Sequence, residues 1–198
     1  MKIKSYAKIN LGLHVLNKRP DNFHNIVTIF QEINFSDQLI IEESKKTFFD
    51  TNVDWLDRQN NTCIMAVKIL QEQYPHLPNF NIFLQKNIPT NAGLGGGSSN
   101  GTATLKAIDK LCDLNLKEQE IKNFSEMISA DSPFFVNGGL QGGEEKGQKL
   151  FPIKNSDIDK YILLIMPNIK VKTSEAFMFI KKYLVKGKTD VKLSRMLE

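Results

Sequence analysis

With 198 residues, of which 41% are hydrophobic and 24% charged, the chain has the composition of a globular protein with a real core, long enough for one substantial domain or one domain and part of another. Its formal net charge of +4 suits an anionic small molecule and is too weak to argue for a nucleic-acid partner. Cys63 and Cys112 have neither metal-ligand spacing nor the density of a secreted disulfide scaffold, and the longest apolar run, 161–166, is too short to span a bilayer. The expectation is a cytoplasmic protein with free thiols and no membrane partner.

Residues 2–17 begin as extended chain and alternate strictly from Ile9 through Leu11, Leu13 and Val15, predicting one or two strands. Lys8 and Asn10 interrupt this apolar company as paired polar residues, which by residue type alone places them on a solvent-facing strand edge. A turn-rich link over 19–24 precedes two further predicted strands, 24–33 and 37–41. Phe23 beside His24 offers an aromatic face and an imidazole donor that suit a flat heterocycle, or else simply a loop aromatic that covers the core. Asn60 or Asn61 can cap a helix to about Tyr74, with Cys63, Ala66, Val67 and Leu70 on one face and Pro75 and Pro78 beyond its end. Phe80, Ile82 and Leu84 then alternate as a strand.

That strand leads through Lys86 and Pro89 into Gly93-Leu94-Gly95-Gly96-Gly97-Ser98-Ser99-Asn100, followed by helical periodicity at Ala103, Ala107, Ile108 and Leu111. Glycines let the backbone take positive φ and approach a ligand closely, and the first amides of a helix lack intrahelical partners. A loop of this kind receives phosphate oxygens. Ser98 and Ser99 add hydroxyl donors or a magnesium ligand. The P-loop pattern fails for want of Lys-Ser/Thr after the last glycine, and the dinucleotide fingerprint fails in its glycine spacing. A flexible surface loop is the alternative.

Asn115 and Glu118 resemble a capping pair for a helix whose Ile121, Phe124 and Ile128 face inward. Asp131 lies between that helix and Pro133-Phe134-Phe135, either as a partly desolvated carboxylate that wants a cation or as a turn aspartate. Residues 138–147 read as a hairpin or surface loop. Residues 161–166 read as a buried strand, and Thr173-Ser174 as the cap of a helix carrying Ala176, Phe177, Ile180 and Leu184.

Jointly, Ala7-Lys8-Ile9-Asn10-Leu11, Pro89-x3-Gly93 to Asn100, and Ala130-Asp131-Ser132-Pro133-Phe134-Phe135 resemble the GHMP small-molecule kinases. Asp21-Asn22-Phe23-His24 and the segment from Lys170 to Ala176 bring the resemblance closest to the 4-diphosphocytidyl-2-C-methyl-D-erythritol kinases of the non-mevalonate isoprenoid pathway. The resemblance implies an α+β GHMP kinase fold. Its ribosomal protein S5 domain 2-like ATP-binding domain would span 1–153, and an incomplete ferredoxin-like C-terminal domain would span 154–198.

It further implies ATP-dependent phosphorylation of the 2-hydroxyl of that cytidine diphosphate-methylerythritol substrate, with ATP and Mg2+ as cofactors. By the same resemblance Lys8 and Asp131 are catalytic. Pro89, Gly93, Leu94, Gly95, Gly96, Gly97, Ser98, Ser99, Asn61 and Lys86 bind ATP, with Asn61 and Lys86 on its adenosine side and Ser99 on the metal. Asn10, Phe23, His24 and Thr173 bind the substrate. Three departures stand out: Phe23 where the family has tyrosine, Gly101 where it has alanine, and a chain shorter than family members. A truncated nucleotide-binding fragment, another GHMP kinase such as a mevalonate or homoserine kinase, and a pure interaction module are the rival readings. Self-association through an uncovered C-terminal surface is a further expectation.

Overall fold

The computed structural model describes residues 1–153 and 161–167. Along the chain run β1 (Lys2–Lys18), β2 (His24–Ser44), β3 (Phe48–Thr51), α1 (Thr62–Gln73), β4 (Asn79–Gln85), α2 (Gly96–Leu111), α3 (Glu118–Ile128), the single turn α4 (Phe134–Asn137), β5 (Leu140–Glu145) and β6 (Lys149–Pro152). The strands form one sheet in the order β3-β4-β2-β5-β6, with β1 on β2. All pairings are antiparallel except β3 with β4.

β2 organises the sheet. One of its edges pairs with β1 over most of its length. The other is divided, residues 26–31 pairing with β5 and residues 38–44 with β4. The sequence pattern predicts two strands over 24–41, whereas the structure has one continuous strand. What reads as a break is a register shift opposite Tyr6 and Ala7. A second shift falls between Asn10 and Gly12, so Lys8 and Asn10 lie between two irregularities of the β1–β2 ladder. Such bulges re-aim side chains and strengthen local twist, which is how a lysine comes to be buried on a strand. The short strand β3 carries no alternation long enough to be read from sequence.

Three helices cover one face of the sheet. Leu39 and Ile41 of β2 and Phe80, Ile82 and Leu84 of β4 meet Val67 and Leu70 of α1 and Leu105 and Ile108 of α2, all buried. Each of these large side chains contributes roughly 1.5–3 kcal/mol by leaving water. Asn61 starts α1, its side-chain oxygen accepting the N–H groups of Cys63 and Ile64 at 3.0 Å. α3 starts differently from the sequence expectation. Lys117 is its N-cap and donates its N–H to Glu120 at 2.9 Å, while Asn115 takes a left-handed turn at φ 54°. β5 and β6 form the hairpin read at 138–147. Both cysteines are free.

The buried strand expected over 161–166 is not found. Tyr161, Leu163 and Ile165 face solvent and join no ladder among the described residues, and only Leu164 packs, against Ala7, Ile33, Ile88 and Leu94. A strand buried on both faces needs hydrogen-bonded neighbours and cover on each side, and among the described residues this segment has neither. The helix expected from Thr173, Thr173 itself and nearly all of the expected domain 154–198 lie outside the described residues.

Candidate active site

The glycine loop connects β4 to α2, and its conformation explains its composition. Gly93 and Gly95 have φ of 73° and 67°, which side-chain-bearing residues adopt at a cost. At Gly95 there is also no room, since a Cβ would lie 2.7 Å from Phe135 Cζ and 3.1 Å from Lys8 Cγ. Gly95 is the N-cap of α2 and brings no side chain to the first amides of that helix. Those amides and the positive end of the helix dipole are available to an anion.

Strand β1 meets this loop directly, because Lys8 donates its backbone N–H to Leu94 O at 3.0 Å. Lys8 is buried, with 6% exposure, rather than on the solvent-facing edge its residue type suggests, and its ammonium lies 5.3 Å from the centroid of the Phe30 ring. Lys8 Nζ donates to Asn10 Oδ1 at 2.7 Å and stands 3.6 Å from Asp131 Oδ2, whose side chain is 37% exposed. Asn10 in turn donates to Thr28 Oγ1 at 2.6 Å, and Thr28 donates to Gly12 O at 2.8 Å. One buried ammonium is thus aimed by an amide that is itself aimed. A half-open carboxylate faces it at the loop.

The segment bearing Asp131 is tied to α2. Ser98, Ser129 and Ser132 share hydroxyl hydrogen bonds of 2.8 and 2.7 Å, and Thr102 donates to Ser132 O at 2.9 Å. Lys106 donates to Phe135 O at 2.8 Å, in the first half of α4. Burial holds the Lys106 ammonium below the ordinary lysine value, with Glu32 pulling it back up. Ser99 is turned inward, its hydroxyl accepting from Ser5 Oγ at 2.8 Å.

Lys8, Asn10, Asp131, Leu94 and Gly95 therefore converge, and Ser98 is joined to the Asp131 segment. Asn61 and Lys86 lie on another flank. Asn61 is engaged as the cap of α1, and its neighbour Thr62 donates to Gly97 O at 2.7 Å. Lys86 is buried and donates to Asp37 Oδ2 at 2.5 Å. Pro89 is exposed where the loop begins. Phe23 sits at the far end of the β1–β2 pair, 54% exposed, with Lys146 Nζ 5.2 Å from its ring centroid, and His24 follows it as the first residue of β2. Asp37, Thr28, and Ser129 and Ser132 as partners of Ser98 belong to the site without being marked by any sequence motif. Asp37 was visible as an acidic residue beside an apolar strand run, a position in which aspartate ordinarily reads as a turn.

Residues 61–139 match the family model for the GHMP kinases N terminal domain, a span that holds the glycine loop and Asp131. The 4-diphosphocytidyl-2-C-methyl-D-erythritol kinase of Persephonella marina is 35% identical over 190 residues, covering 96% of this chain and 69% of that protein. The chain belongs to that kinase family. The family enzyme of Sulfurihydrogenibium sp. is 33% identical over 96% of the chain and 68% of its own length. That of Prochlorococcus marinus is 39% identical over 91% of the chain but only 58% of its own length. Among solved structures, a 4-(cytidine 5'-diphospho)-2C-methyl-D-erythritol kinase superposes with a TM-score of 0.66 at 29% identity, over 77% of this chain and 55% of that one. The Methanococcus jannaschii mevalonate kinase, with a TM-score of 0.58 at 19% identity, shares the fold. The chain thus spans between about half and two thirds of the length of the kinases it matches.

Proposed function

We propose that this protein transfers the γ-phosphoryl group of ATP to the 2-hydroxyl of 4-diphosphocytidyl-2-C-methyl-D-erythritol, a step in making isoprenoid precursors. The observation that carries this reading is the Lys8–Asp131 pair, 3.6 Å apart, on a strand whose own backbone is bonded to the glycine loop. Phosphoryl transfer asks little covalent work of a protein and much placement and charge neutralisation. The loop amides and the α2 dipole take the nucleotide phosphates. Asp131 orients the acceptor hydroxyl and takes its proton as that oxygen bonds to the γ-phosphorus and the bridging β,γ-oxygen leaves with ADP. Lys8 keeps the carboxylate in place and offsets the charge gathering on the transferred group.

Magnesium, when bound, would supply positive charge that offsets the phosphate oxygens of the nucleotide. Among the described residues no three His, Cys, Asp or Glu side chains converge to hold a metal. Ser99, the expected metal ligand, is 3% exposed and its hydroxyl accepts from Ser5, so this structure does not present it to a bound nucleotide. Phe23 and His24 are the candidate seat of the cytosine ring, with Asn10 toward the acceptor. The site of action is the cytoplasm, and no helix of the described residues is long and apolar enough to cross a membrane. The exposed side chains of Tyr161, Leu163 and Ile165 are the candidate surface for self-association.

The test is ATP-dependent phosphorylation of the diphosphocytidyl substrate by this chain, with Asp131→Asn as control. Turnover that the control loses supports the reaction and the carboxylate together. ATP binding without turnover would instead favour a nucleotide-binding fragment, and turnover of mevalonate or homoserine in preference would overturn the substrate assignment.

A further inference from the structure

One carboxylate beneath the glycine loop is unaccounted for by the chemistry above. Asp37 is completely buried on β2, just before the stretch of that edge that pairs with β4. Its Oδ1 accepts the backbone N–H groups of Asn87 and Ile88, each at 2.7 Å. Its Oδ2 accepts Lys86 Nζ at 2.5 Å and Asn100 Nδ2 at 2.9 Å. Asn100 also donates to Ser5 Oγ at 2.9 Å, and Ser5 donates to Ser99. A single side chain therefore grips the chain on both sides of the glycine loop, where it leaves β4 and where it has become the second turn of α2.

The Lys86 ammonium that Asp37 holds lies 2.8 Å from the point a Cβ on Gly96 would occupy, directly under the first residue of α2. Structural need alone accounts poorly for such an arrangement, because apolar residues of similar volume commonly replace a buried ion pair without loss of stability. A fixed cation beneath a helix N-terminus is something apolar residues cannot supply, and it reinforces the dipole that faces the anion. We propose that Asp37 is a positioning residue of the nucleotide site, fixing the Lys86 ammonium under the first turn of α2 and both ends of the glycine loop around it. This rests on the nucleotide reading of that loop.

Asp37→Asn separates the two functions of the carboxylate. Its amide oxygen can still accept from Asn87 and Ile88, but its NH2 then confronts two donors, Lys86 Nζ and Asn100 Nδ2. With a cooperative thermal melt confirming the fold, ATP affinity measured by titration calorimetry falls about tenfold or more, while the KM of the alcohol substrate holds. Lys86→Met falls by a similar factor, and Asp37→Asn added to Lys86→Met lowers ATP affinity no further, as expected if one residue acts through the other. Unchanged ATP affinity in a folded Asp37→Asn protein, or additive losses in the double variant, would overturn the assignment. Should Asp37→Asn not fold, amide exchange in the wild-type chain decides. ATP then slows exchange at Asn87 and Ile88 by about fivefold or more, and no change at these two amides refutes the proposal. A wild-type chain that fails to bind ATP at all would defeat the nucleotide reading itself, and this inference with it.

Discussion

Gly95 carries two requirements in one residue, a left-handed backbone and the closest approach of α2 to both Phe135 and Lys8. Gly95→Ala meets neither. It is expected to cost about 2 kcal/mol in a urea melt, from strain and overpacking together, and to weaken ATP binding in titration. Cys63 makes a different prediction. Burial pushes its thiol up to about 12, so the reactive thiolate is scarce in the native protein at pH 8.5. Iodoacetamide should modify the partly exposed Cys112 first and Cys63 only after denaturation, as read by mass spectrometry. Of the site, the glycine loop was legible from its composition. Lys8, Asn10 and Asp131 stood out only through the motifs they share with the kinase family, since by residue type alone a strand lysine reads as solvent-facing and an aspartate before Ser-Pro as a turn. Thr28, Ser129 and Ser132 were not legible, since buried hydroxyls look like any other small polar residue until their partners are known.

At the scale of elements, α2 shows how a helix can depart from its own propensity for the sake of its neighbours. Gly101 in its interior should cost about 1 kcal/mol relative to alanine. Yet a Cβ there would lie 3.0 Å from Ile128 Cγ2 of α3 and 3.2 Å from Thr62 Cβ of α1. Thr62 Cβ is fixed by the backbone and cannot swing aside. Gly101→Ala is therefore expected to lose about 1 kcal/mol net in chemical denaturation, crowding outweighing the propensity gained. Asn61→Ala removes the cap of α1 and should cost about 1 kcal/mol in the same assay. Periodicity revealed α1, β4 and α2 well, because each buries one face. It failed at β2, where Asn34 and Phe35 interrupt the pattern as a bulge in one continuous strand, and at 161–166, where hydrophobicity alone could not say whether anything would cover the segment.

For the molecule as a whole, stability should carry a mark of Glu32, half-buried where β2 meets Gly138. Burial raises its carboxyl above the ordinary glutamate value, with Lys106 and the Gly139 backbone opposing the shift. Between the unfolded and folded values the native state holds the proton that the unfolded chain has released, so this contribution to stability is present at low pH and lost as pH rises through that window. Glu32→Gln abolishes the loss. The melting temperature of the variant relative to wild type should climb from pH 4 to pH 7, and a constant difference would count against the assignment.

The divided edge of β2 has a consequence for how the molecule comes into being. During synthesis β1 and β2 can pair as soon as they leave the ribosome, but residues 26–31 must wait for β5, and Lys8 for Asp131. Until then the Lys8 ammonium has no carboxylate, and the strand edge reserved for β5 is bare. The Lys8–Asp131 contact thus forms only after the chain has been made through α3, later than the β1–β2 pairing that carries Lys8.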